Sequence, residues 1–187
     1  KANLAQDSIK LKGGGGSSLD LPDWNHEHLV EIRQLLNKLS AYGVDAARAY
    51  GAKSDVDPVH YLVGAASGWG GLPAKEASYE FGFVEKNDGT PYTVTVRNVP
   101  VDEFWSITVY NAQGYIEKNE LGIYSFNNIT AKPNDDGSFT INFGKCEDGR
   151  INCLPISEGW NYAVRLYKPR QEILDGAWTF PKAEPAE

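Results

Sequence analysis

The sequence predicts a mainly β protein, a jelly-roll-like antiparallel sandwich with two N-terminal helices. Two observations carry this. Hydrophobic spacing is helical up to about residue 66 and then changes to a period of two, with Gly, Pro, Asn and Asp clusters between the alternating runs. Composition agrees, since aromatic residues make up 12% of the 187 residues and glycine occurs 19 times, a bias towards strands and turns.

The first helix follows residues 19–22. Asp23 is the expected cap, and Leu29, Ile32, Leu36 and Leu39 repeat at helical spacing up to a stop at Gly43. The second begins at Asp57-Pro58, an N-cap followed by proline at the first helical position, and runs to about Ala66. Residues 67–73, rich in glycine, read as a loop. Strands are expected over 78–84 and 91–99, joined as a hairpin by the Asp88-Gly89 turn. Residues 104–110 form another, with Trp105, Ile107 and Val109 on one face. Further strands are expected over 122–126, 129–132, 138–143 and 161–167, the middle two as a hairpin around 133–137, and a short helix or turn over 171–174.

Three segments are expected along the chain. Residues 1–12 form a leading piece in which 8–12 alternate polar and apolar residues like a strand docked on a sheet edge. Residues 13–18, GGGGSS, are a flexible linker with a reach of roughly 13 Å. Residues 19–187 form the main domain. Position 1 is Lys and the chain contains no Met, so the expectation is a processed or engineered piece with no signal peptide left to read.

Charge and hydropathy exclude classes of partner. A net charge of −7 and a pI near 5.0 leave no electrostatic footprint for nucleic acid. No apolar run approaches the ~18 residues of a membrane span. Phosphate-loop, dinucleotide and Gly-x-Ser-x-Gly patterns are absent. No metal site and no cofactor are expected, because His26 and His28 diverge on a helix and cannot chelate together.

The remaining chemistry-bearing residues are few. Cys146 and Cys153 flank an Asp148-Gly149 turn, which favours a disulfide over two reduced thiols, and with it an oxidising compartment. His60, beside the glycine-rich loop, is a weak catalytic candidate. Asp102-Glu103 and Asp135-Asp136 are adjacent carboxylates, the second pair in a turn. Arg165 interrupts the apolar run 163–167 and is expected to be buried and charge-paired, since a buried guanidinium needs an acidic partner or an anionic ligand. Trp105, Tyr110, Asn127, Asn128, Trp160 and Asn161 either line a sugar-binding groove or belong to the core.

Several runs carry a resemblance to a known family. They are VDEFWSITVYN at 101–111, WNYAVRLYKPR at 160–170, ILDGAW at 173–178 with Pro181, and the shorter GWGG at 68–71, KNDG at 86–89 and NCLP at 152–155. Together they resemble the DUF1214 family over roughly residues 20–182. The resemblance implies a jelly-roll-like domain, often in exported bacterial proteins, that follows a DUF1254 domain; residues 1–18 depart from that pattern, as if a strand had been spliced on after a preceding domain was removed. It implies no mechanism. The expected function is therefore a binding or assembly module, located in the periplasm or secreted. Its ligand would be a small molecule or glycan met by Trp105, Tyr110, Asn128 and Arg165, and copies would associate through sheet edges. The alternative is a hydrolase of a small ester or glycan that uses His60 or Arg165.

Overall fold

The computed structural model describes residues 2–10, 12–13, 16, 21–40, 42, 48–68 and 70–186. Its helices are α1 (Ala2–Ser8), α2 (His26–Ser40), α3 (Pro58–Ser67) and α4 (Gln171–Leu174). Its strands are β1 (Ala77–Phe83), β2 (Tyr92–Val96), β3 (Trp105–Tyr110), β4 (Ser125–Asn127), β5 (Phe139–Phe143), β6 (Cys153–Leu154), β7 (Asn161–Tyr167) and β8 (Glu184–Pro185). They form two four-stranded sheets, in the orders β1-β7-β3-β4 and β6-β5-β2-β8. All pairings are antiparallel except β5 with β6.

One core joins the two sheets. Ile107, Val164 and Leu166 from the first pack with Val94, Ile141 and Phe143 from the second. Aromatic rings cross the gap: Trp105 meets Phe139 edge-on at 5.5 Å, and Phe143 stacks on Trp160 at 5.0 Å. The alternation expected for 104–110 holds, with Trp105, Ile107 and Val109 all buried. The protein is thus mainly β and sandwich-like.

Local rules explain the helices well. The Asp57 carboxylate accepts from the Val59 and His60 N–H groups at 2.9 and 3.2 Å, directly before Pro58. These bonds, His60's first, hold its carboxyl below the usual range. For α2 the cap is Asn25, whose Oδ1 accepts from the His28 N–H at 3.1 Å, and not Asp23. Gly43, its expected stop, lies outside the described residues.

The leading segment differs from expectation. Residues Ala2–Ser8 form a helix, Ile9 is 73% exposed, and among the described residues neither sheet contains a strand from this segment. The run Ala2-Asn3-Leu4-Ala5-Gln6 has good helix formers and no β-branched residue. Of the alternating residues 8–12 only Ser8 lies in this helix, and Ile9 and Lys10 follow it outside any strand. Leu11 and most of the 13–18 linker lie outside the described residues.

Both expected hairpins are also corrected. β1 and β2 join different sheets: β1 pairs with β7, and β2 with β5. The turn between them is tied elsewhere, because the Asn87 side chain accepts from the Gly159 N–H at 2.7 Å and donates to the Trp160 carbonyl at 2.9 Å. Residues 129–132 form no strand. Asn127 Oδ1 accepts from the Ile129 and Thr130 N–H groups, both at 2.8 Å, which curls the backbone away from an extended path.

Candidate functional site

The outward face of the β1-β7-β3-β4 sheet carries the site. On β7 the alternate residues Tyr162, Val164 and Leu166 enter the core. Asn161, Ala163, Arg165 and Tyr167 therefore project from the other face. The register places Arg165 between Tyr79 of β1 and Ser106 of β3, and Ala163 beside Thr108. Ser106 in turn lies opposite Asn127 of β4. Small and hydroxyl-bearing neighbours give the long arginine room to lie along the sheet.

The Arg165 side chain does so. Nη1 donates to Thr108 Oγ1 at 3.3 Å, Nη2 donates to Tyr110 Oη at 2.6 Å, and the guanidinium carbon stands 5.8 Å from the Tyr110 ring centre. This corrects the expectation of a buried, charge-paired arginine: Arg165 is half-buried and its partners are hydroxyls. The surface ion pairs are Arg97–Asp136, Arg150–Asp148, Lys168–Glu76 and Arg170–Asp102, and none among the described residues involves Arg165. Five N–H donors on a guanidinium exceed the two used here. The Thr108 and Tyr110 oxygens accept from Arg165, Thr108 itself buried and Tyr110 half-buried. The result is a cationic, donor-rich surface on a protein of net charge −7.

Tyr110 also borders a cleft of about 160 Å³ at the end of β3, lined by Val109, Asn111, Asn119, Tyr124 and Ile156 among others. A second, apolar groove of about 500 Å³ runs between α2 and α3, past Leu29, Ile32, Leu36, Leu62 and Tyr115.

The other expected site residues scatter. Trp105 is 3% exposed and Trp160 is 1% exposed. Both are packed in the core, on the opposite side of the sheet from Arg165, so neither can stack on a ligand there. Asn128 follows β4, and its Oδ1 is buried without a hydrogen-bond partner. His60 sits in the first turn of α3, half-buried. Of the residues expected to meet a ligand, the structure brings together only Tyr110 and Arg165. It adds Thr108 and Ser106, which the alternation of 104–110 placed on one face with Tyr110 but which the search for charged and aromatic groups passed over.

Cys146 and Cys153 are bridged, with Cα atoms 5.4 Å apart. Cys146 opens a short 3-10 turn ending at Asp148, and Cys153 starts β6. The adjacent carboxylates hold structure: Asp102 pairs with Arg170, and Asp136 accepts from the Ser138 hydroxyl at 2.6 Å and N–H at 2.9 Å. Among the described residues, no three metal-ligating side chains cluster.

Comparison with known proteins agrees with the family resemblance over part of the chain. Residues 83–171 match the family described as "Protein of unknown function (DUF1214)". This span contains Thr108, Tyr110 and Arg165. The chain is similar to the VPA0106 protein from Vibrio parahaemolyticus, a crystal structure, with 26% identity and a TM-score of 0.67 over 90% of this chain. It spans 47% of that protein's chain, about half its length. A putative uncharacterized protein from Burkholderia cenocepacia is similar over 59% of this chain and 30% of its own, with 18% identity and a TM-score of 0.44. No curated protein matches.

Proposed function

We propose that the DUF1214-matching region is a binding module for a small carboxylate-bearing ligand, such as an acidic sugar, held on the outward sheet face by Arg165. The observation that supports this is a half-buried guanidinium that, among the described residues, is bonded only to Thr108 and Tyr110. An arginine so placed without a carboxylate partner keeps the planar donor fork that recognises a carboxylate in two-point fashion. Tyr110 adds an aromatic surface and a hydroxyl to the same ligand.

Hydrolysis is the weaker reading. Among the described residues, the Thr108 and Tyr110 hydroxyls are bonded by Arg165 and to no carboxylate or imidazole, so no described base faces a nucleophile at this site. The disulfide supports a periplasmic or secreted location. Among the described residues no helix is long and apolar enough to cross a membrane.

Titration calorimetry with glucuronate, galacturonate, glucose and inorganic phosphate tests the proposal. Acidic sugars should bind and glucose should not. Arg165→Ala should weaken binding by at least about tenfold, ~1.4 kcal/mol, and Tyr110→Phe by less. Binding that is indifferent to Arg165→Ala, or a preference for the neutral sugar, overturns it. Turnover of ester or glycoside substrates lost in His60→Ala would favour the hydrolase.

A further inference from the structure

We propose that the edge of β1, left open among the described residues, pairs with β1 of a second copy of this chain, antiparallel about a two-fold axis at Phe81, joining two four-stranded sheets into one of eight strands. The inference rests on the edge itself and is independent of the Arg165 reading.

The four sheet edges are unequal. β4 has three residues, and β6 and β8 have two each. Such short strands offer little to a partner. β1 has seven, Ala77–Phe83, and lies at the end of its sheet. Exposed edges are usually protected by proline, lysine, a bulge or an inward charge. β1 contains no proline and no lysine, and pairs with β7 without a bulge. Of these devices it has one, the inward charge of Glu80, which is satisfied within its own chain by accepting from the Phe180 N–H at 3.0 Å and stands opposite Gly82 in the pairing proposed here. On the outward face stand Phe81, 67% exposed, and Phe83, 79% exposed, beside Tyr79.

The backbone is ready for a partner at the same residues. The Glu76 carbonyl accepts from the Lys168 N–H on the β7 side at 2.9 Å. In an antiparallel ladder alternate residues turn both polar groups to the same neighbour. Residues 78, 80 and 82 therefore bond β7, and the N–H and C=O groups of Tyr79, Phe81 and Phe83 point to the free edge. None of these three makes another backbone hydrogen bond among the described residues.

The sequence favours the axis at Phe81, since an axis at Gly82 also keeps the backbone pattern but sets Tyr79 opposite Glu85 rather than an aromatic ring. With the axis at Phe81, that ring faces its own copy and Tyr79 faces the second copy's Phe83 on both sides of the axis. All three aromatic positions are then in hydrogen-bonded pairs, and Glu80 lies opposite Gly82. Shifting the axis by one residue, to Glu80, keeps the backbone pattern but sets two carboxylates directly opposite each other, which is unfavourable. The strand is thus self-complementary in hydrogen bonding, side chain and charge at this alignment, which is what an isologous contact requires.

Sedimentation equilibrium on the full chain tests this. The expected mass is twice the 20.6 kDa of one chain. Phe81→Lys puts like charges face to face on the axis and should give a monomer that keeps the far-UV spectrum of the folded parent, because Phe81 is exposed in the single chain, and that melts lower only by what association contributes. The native cysteines are bridged, so a Phe81→Cys variant has a single free thiol. Under mild oxidation it should form a covalent dimer faster than Glu80→Cys does. A monomeric parent, a dimer that survives Phe81→Lys, or faster cross-linking in Glu80→Cys each overturns the proposal.

Discussion

Replacing Cys146 by Ser and Cys153 by Ala together tests how much the bridge contributes. It closes a loop of sequence separation 7, and the chain-entropy picture gives about 2.5 kcal/mol for a loop that short. The structure argues that the loss is confined to this figure. β6 keeps two backbone bonds to the sheet, from the Asn142 N–H to the Asn152 carbonyl at 3.0 Å and from the Gly144 N–H to the Leu154 carbonyl at 2.9 Å. The Asn152 side chain adds bonds to the carbonyls of Lys132 and Thr140 at 2.8 and 2.9 Å. Leu154, fully buried, remains anchored in the core. The double variant should therefore fold, lose about 2–3 kcal/mol and melt roughly 5–10 °C lower. Guanidinium unfolding of parent and variant, with and without reductant, measures this. The reduced parent should coincide with the variant. A variant midpoint equal to that of the oxidised parent would show that the bridge is energetically idle.

Two further outcomes are expected. A Cβ at Gly82 would stand 1.9 Å from the Tyr162 ring, and that ring is fixed by the Ala183 N–H bonding its hydroxyl at 3.0 Å. Gly82→Ala should therefore cost roughly 1–3 kcal/mol in a denaturation curve, and a parent-like midpoint would show that the ring moves aside freely. Acid should destabilise the protein, because Asp88, Asp136 and Asp148 sit below the usual carboxylate range. The causes are the Thr90 hydroxyl, the Ser138 hydroxyl and the Arg150 guanidinium respectively. The folded state then binds fewer protons than the unfolded state as pH falls through about 4. The stabilisation is present above that range and is lost below it. Asp136→Asn should flatten the acid limb of a melting-temperature profile, and an unchanged slope would refute the assignment.

What the sequence disclosed depended on the range of the interaction. Asp57-Pro58 specifies the start of α3 within a few residues, so the helix could be read directly. The alternation of 104–110 and the Cys146–Cys153 turn are equally local, and both hold. Strand partners are not local. β1 finds β7 some eighty residues on, because the 86–89 turn is fastened by Asn87 to the start of β7 rather than closed on itself. A turn signal reports that the chain reverses, not which strand it returns to. The site shows the same limit. Arg165 stood out because a charge in an apolar run is conspicuous, yet its partners Thr108 and Tyr110 came from another strand and are of a type that draws no notice alone. The expected acidic partner was wrong because alternation places Arg165 on the outward face, where hydroxyls and solvent suffice.

The two proposals share one sheet face but occupy different strands of it, which makes them separable. Arg165 is anchored on β7 and reaches towards β3, away from β1. Phe81 and Phe83 lie on the far side of β7 from Thr108 and Tyr110. Phe81→Lys therefore removes pairing at the edge while leaving the guanidinium and both hydroxyls in place, and ligand affinity per chain should be unchanged. Arg165→Ala removes the cation while leaving the edge backbone and its aromatics intact, and the mass in solution should stay that of the parent. If pairing occurs, the two Arg165 groups lie on one continuous face, with strands β1 of both copies between them. Neighbouring strands are spaced about 4.8 Å apart with a rise of about 3.4 Å per residue, so the β7 strands stand roughly 14 Å from each other and the two Arg165 backbones, offset by four residues along the strands, roughly 20 Å. A ligand with two carboxylates at that reach would bind the paired form more tightly than a single carboxylate does, and Phe81→Lys would abolish the difference without touching the monovalent affinity.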